Sequence, residues 1–125
     1  MDLEKVKEEI IELRKSKSCS QATLLALCKD TKLSEEELLD LAIPFSGGIG
    51  RTFEEGTCGA LIAALMAIGF SNSENKVALA QFLFNDFKDE YMSVRCDEIS
   101  KKGQDHSSCV DCCIFAASKV IDFLE

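Results

Sequence analysis

The chain has 125 residues, seven cysteines, no tryptophan and a formal net charge of −8. A chain of this length forms a core without disulfide staples, and an odd number of cysteines excludes complete pairing within it. Because the only basic run is RKSK at residues 14–17, the acidic balance argues against nucleic acid as the main partner.

The first segment predicts an amphipathic helix with its apolar residues on one face. These residues are Leu3, Val6, Ile10 and Leu13. The face either covers the chain's own core or pairs with a second copy in a homodimer. The segment has no apolar signal-peptide core, so we expect a cytoplasmic protein in a reducing environment, where cysteine clusters are metal-binding or catalytic.

Two capping boxes predict the next two helices. In each box a serine and the glutamine or glutamate three residues later satisfy free backbone N–H groups. Ser18 and Gln21 begin a second helix that extends to about Lys29. Ser34 begins a short third helix that ends before Pro44, because the residue before a proline disfavours helical backbone.

The glycine-rich stretch after Pro44 predicts a loop whose backbone closely approaches another part of the chain. It matches neither glycine pattern of nucleotide-binding loops, and no predicted strand precedes it, so nucleotide binding is not expected. The loop is also a candidate to support a metal centre from outside its ligands. Its backbone N–H groups would donate hydrogen bonds to the ligand sulfurs and tune the reduction potential of the centre. The residues concerned are Gly47, Gly48 and Gly50, with the positive charge of Arg51 nearby.

The second half of the chain predicts three more helices. The apolar run 58–70 predicts a buried helix that is too short to cross a membrane. Ser73 is expected to cap a long helix to about Arg95, and a last helix covers 109–124. Apolar positions of the long helix include Val77, Phe82, Phe84 and Phe87. With no strand alternation and no repeat, the chain predicts one all-α domain over 1–125, a compact bundle of five or six helices.

Three cysteines directly follow a hydroxyl residue that is expected to cap a helix. The pairs are Ser18-Cys19, Thr57-Cys58 and Ser108-Cys109. A cysteine in the first helical position lies at the positive end of the helix dipole, which favours thiolate. Thiolate is the form that attacks disulfides and binds metals. Cys96, which follows Arg95, is the natural fourth member of this set.

Thiolates from four separate elements match a tetrahedral zinc site or an iron–sulfur cluster. The candidate ligands are Cys19, Cys58, Cys96 and Cys109. Zinc sites usually draw ligands from C-x-x-C pairs, and only Cys109 and Cys112 have that spacing. The same pair also matches a dithiol in which the first cysteine attacks and the second resolves. Cys113 lies on the same helix side as Cys109.

The remaining candidates have plainer interpretations. Cys28 lies in an apolar stretch and is interpreted as a core residue. His106, the only histidine, is interpreted as a solvated loop residue, with a ligand or proton donor as the alternative. The capped cysteines themselves are also open to a structural interpretation, because free cysteine is among the most buried residue types.

In order and spacing, these motifs resemble the C-GCAxxG-C-C family of redox-active proteins. The matching segments are SCSQA at 18–22, FSGGIGR at 45–51, GTCGA at 56–60, MAIG at 66–69, VRC at 94–96 and Cys109 ahead of Ala116-Ala117. The resemblance spans roughly residues 5–124 and implies that the family's motif cysteines are the four candidate ligands named above.

The chain departs from the family pattern at several positions. Ala63 stands where the central motif ends in glycine, which predicts a tight helix contact, and Cys28, Cys112 and Cys113 are additional. A domain similar to this family's occurs in a haem protein with an iron–sulfur centre. This chain has no C-x-x-C-H motif, so attached haem is not expected.

The leading hypothesis is a small redox protein that holds a four-cysteine metal centre for electron transfer with a redox partner protein. An iron–sulfur cluster is preferred, with zinc as the alternative. The second hypothesis is a metal-free thiol–disulfide protein that uses Cys109 and Cys112, with Cys58 as a further partner. The third is a helical interaction module with structural cysteines.

Overall fold

The computed structural model describes residues 2–29, 31–52, 56–100 and 106–121. Its helices are α1 (Leu3–Leu13), α2 (Cys19–Cys28), α3 (Glu35–Ala42), α4 (Gly59–Phe70), α5 (Lys76–Tyr91), α6 (Cys96–Ser100) and α7 (His106–Val120). In these ranges the extended backbone pairs once, in an isolated bridge between Thr57 and Arg95. The all-α prediction is confirmed, and each predicted helix has a counterpart. The short helix α6 was not predicted.

Both predicted capping boxes are present. Ser18 Oγ accepts a hydrogen bond from the Gln21 N–H, and the Gln21 side chain accepts one from the Ser18 N–H. Ser34 and Glu37 repeat this arrangement at the start of α3. Each cap contributes about 1 kcal/mol to helix stability and fixes the residue at which the helix begins.

The central pair of helices is α2 and α4, which pack against each other and against α7. Both helices are apolar on nearly every side, which is typical of a helix with no solvent face. Ala63 is buried on α4 together with Ala60, Ala64 and Ala67, so small side chains line this helix. The position of Ala63 is consistent with the close helix contact expected from its sequence.

The apolar face of α1 covers the chain's own core. Val6 and Ile10 are buried, and α1 packs against α2 and α7. Leu3, at the start of the helix, is 39% exposed. The face is therefore used within the chain, and a homodimer stays a prediction that the structure does not test.

The long helix α5 differs from its prediction in its bounds and in its buried face. Ser73 Oγ accepts from the Asn75 N–H outside the helix, which begins at Lys76. The helix ends at Tyr91 because Met92 adopts left-handed backbone, with a φ of 59°.

The buried face of α5 is narrow. It consists of Leu83 and Phe87, which are one helical turn apart and point towards the core. Of the other apolar positions named from the sequence, Val77 is 84% exposed, and Phe82 and Phe84 also lie outside the core. Among the described residues, no helix is both long and apolar enough to cross a membrane.

Candidate functional site, a buried thiol cluster

Five cysteine side chains from α2, α4 and α7 meet where these helices pack together. We call them the thiol cluster: Cys19, Cys58, Cys109, Cys112 and Cys113. Cys58 Sγ and Cys112 Sγ are in contact at 3.5 Å. Side-chain hydrogen bonds join the remaining thiols to one another. The helix packing thus brings together thiols that are up to 94 positions apart in the sequence.

Cys19 is placed as predicted, as the first residue of α2 behind its Ser18 cap. Its sulfur lies against Gly59, and a Cβ built on Gly59 would lie 2.9 Å from Cys19 Sγ and 2.6 Å from the Phe45 carbonyl oxygen. Only glycine avoids both close approaches. The glycine that follows Cys58 is therefore required because it admits the Cys19 side chain into the cluster.

Cys58 was predicted to follow a Thr57 cap as the first helical residue, and this prediction is wrong by one position. Cys58 is itself the N-cap residue, and α4 begins at Gly59. The physical reason is that Thr57 pairs with Arg95, and the Cys58 N–H donates to the Val94 carbonyl at 2.7 Å. This pairing with a distant segment fixes the extended backbone that leads into α4.

Cys109 was also predicted to be a first helical residue, and this is wrong as well. The helix begins at His106, so Ser108 lies inside α7 and does not cap it. The three residues before Cys109, at positions 106–108, include no glycine or proline, so the helix extends almost one turn further towards the N-terminus than predicted. His106 therefore begins a helix, while its side chain lies outside the described structure. Three cysteines of α7 share one face at i, i+3 and i+4: Cys109, Cys112 and Cys113.

The thiols of the cluster differ in the direction of their pKa shifts. Hydrogen bonds from the Cys112 and Cys19 thiols lower the pKa of three neighbours: Cys58, Cys109 and Cys113. The same contacts raise the pKa of Cys19 and Cys112, which keep their protons. The contacts therefore favour the thiolate form at Cys58, Cys109 and Cys113 and the thiol form at Cys19 and Cys112. The N-terminal ends of α2 and α4 offset part of the negative charge.

A residue that the sequence analysis missed, Arg14, completes the site. It caps the C-terminal end of α1, and its Nη2 donates to Cys109 Sγ at 3.1 Å while Nη1 donates to the Lys17 carbonyl. After the two thiol hydrogen bonds, the charge of Arg14 lowers the pKa of Cys109 further. A sequence signal existed, because Arg14 follows Ile10 by four residues and so lies on the apolar face of α1.

Cys109 differs from the other members of the cluster in its accessibility. It is the one cysteine among the described residues that is partly exposed, whereas the other six are buried. It is therefore the member of the cluster that lies nearest the protein surface. Access and thiolate character coincide at this residue, which is the combination typical of a reactive cysteine.

Cys28 lies apart from the cluster. It is nine residues along α2 from Cys19, or about 13 Å at the rise of an α-helix. Burial raises its pKa to about 12. Both features agree with its interpretation as a core residue.

The long helix was expected to end at about Arg95, next to Cys96, and Cys96 instead begins the separate helix α6. It is buried, and its N–H donates to the Gly56 carbonyl at 2.9 Å. The bridge between Thr57 and Arg95 therefore places Cys96 beside the residues that lead into Cys58. The guanidinium of Arg95 pairs with Glu98 at 3.1 Å.

The glycine loop supports the segment that leads into Cys58. Gly47, Gly48 and Gly50 all have positive φ. A Cβ on Gly48 would lie 2.9 Å from Gly56 Cα, so two glycine backbones are in close contact. This confirms the expected close approach and identifies its partner.

The predicted donation from the loop to sulfur is not seen for two of its N–H groups. The Gly50 N–H donates to the Pro44 carbonyl and the Arg51 N–H to the Ser46 carbonyl. The side chain of Arg51 is exposed. The loop therefore supports the cluster indirectly: it packs against Gly56, which lies two residues before Cys58.

A metal centre is tested here by donor type and by placement. The donor type fits, because thiolate is the ligand of zinc and of iron–sulfur clusters. The placement does not: among the described residues, no group of three or more His, Cys, Asp or Glu side chains is arranged to hold a metal ion. The present geometry is one of sulfur–sulfur contacts.

The model of a family described as "Putative redox-active protein (C_GCAxxG_C_C)" matches residues 17–123. This range includes all seven cysteines and both segments of the bridge. No curated protein and no solved structure matches the chain.

Proposed function

This chain belongs to the C_GCAxxG_C_C family of redox-active proteins, and we propose that it is a thiol–disulfide redox protein whose reactive group is the thiol cluster. The observation that carries the proposal is the 3.5 Å contact between Cys58 Sγ and Cys112 Sγ. A disulfide has an S–S bond of about 2.05 Å. The two sulfurs are therefore in van der Waals contact, about 1.5 Å beyond the length of the bond that would join them.

Cys109 is the attacking thiol in this proposal. It is the partly exposed member of the cluster, and hydrogen bonds from Cys112 and Cys19, followed by the charge of Arg14, lower the pKa of its thiol. Thiolate attack on a substrate disulfide joins Cys109 Sγ to one substrate sulfur. The other substrate sulfur leaves with the bonding electron pair and takes up a proton.

Cys112 resolves the mixed disulfide. It lies one helical turn from Cys109, with which it forms a side-chain hydrogen bond. Its sulfur loses its proton and attacks Cys109 Sγ, which releases the second substrate thiol and leaves a Cys109–Cys112 disulfide. Two protein thiols are oxidised to one disulfide, and one substrate disulfide is reduced to two thiols.

Cys58 gives the disulfide a buried position. Its thiolate contacts Cys112 Sγ, so its attack there would form a Cys58–Cys112 disulfide and return Cys109 as a thiolate. Both members of that final pair are buried. Exchange with solvent thiols would then occur through Cys109, and the core would hold the disulfide, the form in which the protein has given up two electrons.

The test compares two single-thiol deletions under a small disulfide oxidant. Cys112→Ser removes the partner of Cys58, and Cys28→Ser removes a buried thiol that lies about 13 Å from the cluster. We expect Cys28→Ser to form the Cys58–Cys112 link as the wild type does, as shown by peptide mapping. We expect Cys112→Ser to accumulate the mixed disulfide on Cys109. Equal oxidation of the two variants would contradict the proposal and favour structural cysteines.

A four-cysteine metal centre is the second candidate, and it is favoured by the meeting of three of its four candidate ligands, Cys19, Cys58 and Cys109, in the thiol cluster. Thiolate is the ligand type of both zinc sites and iron–sulfur clusters. The ligands would be Cys19, Cys58, Cys96 and Cys109, and an iron–sulfur cluster held there would supply one-electron transfer. Metal analysis and an absorption spectrum after anaerobic purification test this candidate. Stoichiometric iron or zinc, lost in each Cys→Ser variant, would support it over the dithiol.

A further inference from the structure

A small cavity lies where the residue after α3 meets the glycine loop. Its described lining consists of Ile43, Ser46, Gly50 and Arg51, and its volume is about 300 Å³. The residues Ile43, Gly50 and Arg51 are exposed and Ser46 is buried, so the cavity opens to solvent and Ser46 forms its floor. This volume is at the lower end of the range for ligand sites in proteins, so the cavity suits a small molecule.

Arg51 lines this cavity with a charge that has no partner. Among the described residues, its guanidinium forms no ion pair and no hydrogen bond. Its backbone is left-handed, with a φ of 58°, a conformation that residues other than glycine rarely adopt. Residues held in such strained backbone are concentrated at functional sites. The loop therefore carries an arginine at a position where glycine would be less strained, which indicates a role for the arginine side chain.

The other donors around the cavity are already used. The Gly50 N–H donates to the Pro44 carbonyl, and the Arg51 N–H donates to the Ser46 carbonyl. The Ser46 hydroxyl donates to the Ile43 carbonyl. A phosphate site on a glycine loop uses several free backbone N–H groups, and here these N–H groups are occupied. The guanidinium is the donor group left free, and its parallel N–H groups match the two oxygens of a carboxylate.

We propose that this cavity binds a small carboxylate. The Arg51 guanidinium donates to the two carboxylate oxygens, and the Ile43 side chain contacts the hydrocarbon part of the ligand. Ile43 is 47% exposed, so an apolar group in the cavity would cover part of its side chain. A singly charged, planar anion with a short hydrocarbon part is the class of ligand that fits this lining.

The site is distinct from the thiol cluster, although the two are close along the chain. The carbonyl oxygen of Phe45, the residue before Ser46, lies 2.6 Å from a Cβ built on Gly59, and Cys19 Sγ lies 2.9 Å from the same Cβ. No cysteine is among the described lining residues of the cavity. The carboxylate is therefore a ligand of the loop and not a substrate of the thiols, and its binding goes beyond the proposed function.

The test is a ligand titration of the ¹⁵N-labelled chain, with all thiols reduced, followed by two-dimensional NMR at constant ionic strength. The probes are isobutyrate, its neutral analogue isobutyramide, and inorganic phosphate. Arg51→Gln removes the charge from the cavity. Lys15→Gln removes an exposed charge elsewhere on the surface and serves as the matched control.

We expect isobutyrate to shift the amide signals of residues 43–51 in a saturable way, with a dissociation constant of about 1–10 mM, as suits so small a ligand. Isobutyramide should leave these signals in place, and phosphate should bind at least about tenfold more weakly than isobutyrate. Arg51→Gln should raise the dissociation constant for isobutyrate at least about tenfold, because the charged donor is lost. Lys15→Gln should leave this constant unchanged.

Equal binding of isobutyrate by the wild type and Arg51→Gln would overturn the inference. Shifts spread over the whole chain, or tighter binding of phosphate than of isobutyrate, would also overturn it. Arg51→Gly separates binding from folding, because glycine adopts the left-handed backbone without strain. This variant should lose binding while its urea midpoint stays the same or rises. A lower midpoint together with the loss of binding would assign Arg51 a structural role and contradict the proposed site.

Discussion

Arg14→Gln tests the electrostatic account of Cys109. In the folded chain, hydrogen bonds from the Cys112 and Cys19 thiols and then the charge of Arg14 lower the pKa of Cys109. Substitution leaves the two thiol contacts in place and removes the charge that lies 3.1 Å from the sulfur. The pKa of Cys109 should therefore rise towards that of an ordinary thiol.

The magnitude follows from Coulomb's law. With the delocalised guanidinium charge about 4 Å from the sulfur and an effective dielectric constant of about 20, the attraction is about 4 kcal/mol. At 1.36 kcal/mol per pH unit this is about 3 pH units. Because Arg14 is partly exposed, solvent screens part of this attraction, and we expect a rise of about 1–2 pH units.

The assay is alkylation of Cys109 by iodoacetamide as a function of pH, followed by peptide mass spectrometry. Since the folded pKa is lowered, thiolate is present above that pKa and is lost as the pH falls through it. Its contribution to stability has the same sign: it is full above the unfolded pKa and disappears as the pH falls. The midpoint should move to higher pH in Arg14→Gln and stay in place in Lys15→Gln. An unchanged midpoint in Arg14→Gln would refute the electrostatic reasoning.

The other predictions concern the packing that positions the cluster. Gly59→Ala should lower the free energy of unfolding by about 1–3 kcal/mol, because its Cβ would lie 2.6 Å from the Phe45 carbonyl oxygen. Gly69→Ala, on the exposed end of the same helix with open space around it, should be neutral or stabilising by up to about 1 kcal/mol. Urea unfolding of both variants tests this prediction. Equal destabilisation of the two variants would show that Gly59 is not closely packed against Phe45 and Cys19 in solution. Ser18→Ala should cost about 1 kcal/mol in the same assay, because α2 loses its cap. An unchanged midpoint there would mean that the cap is not formed in solution.

Local signals in the sequence account for much of the fold. The capping boxes of α2 and α3 depend on residues three positions apart, so they were visible in the sequence and are present in the structure. The start of α4 was misplaced because the pairing of Thr57 with Arg95 joins segments almost 40 positions apart. Local rules contain no information about such a contact.

The candidate site was predicted in part. Several of the predicted cysteines do meet, and the C-x-x-C pair of α7 lies in the same cluster. The contact between Arg14 and Cys109 spans 95 positions, and only the helical phase of Arg14 hinted at it. The exposed apolar residues of α5 show a second limit of sequence-based prediction. Periodicity identifies the apolar positions of a helix, but the packing of neighbouring helices decides which of these positions are buried.

The most direct test of the central claim is a redox titration of the wild-type chain in glutathione buffers, with the disulfides mapped at each potential. Our account predicts one reversible two-electron transition in which a Cys58–Cys112 link appears while Cys28 stays reduced. A chain in which Cys58 and Cys112 remain unlinked at every potential, under conditions that oxidise Cys109, would contradict it.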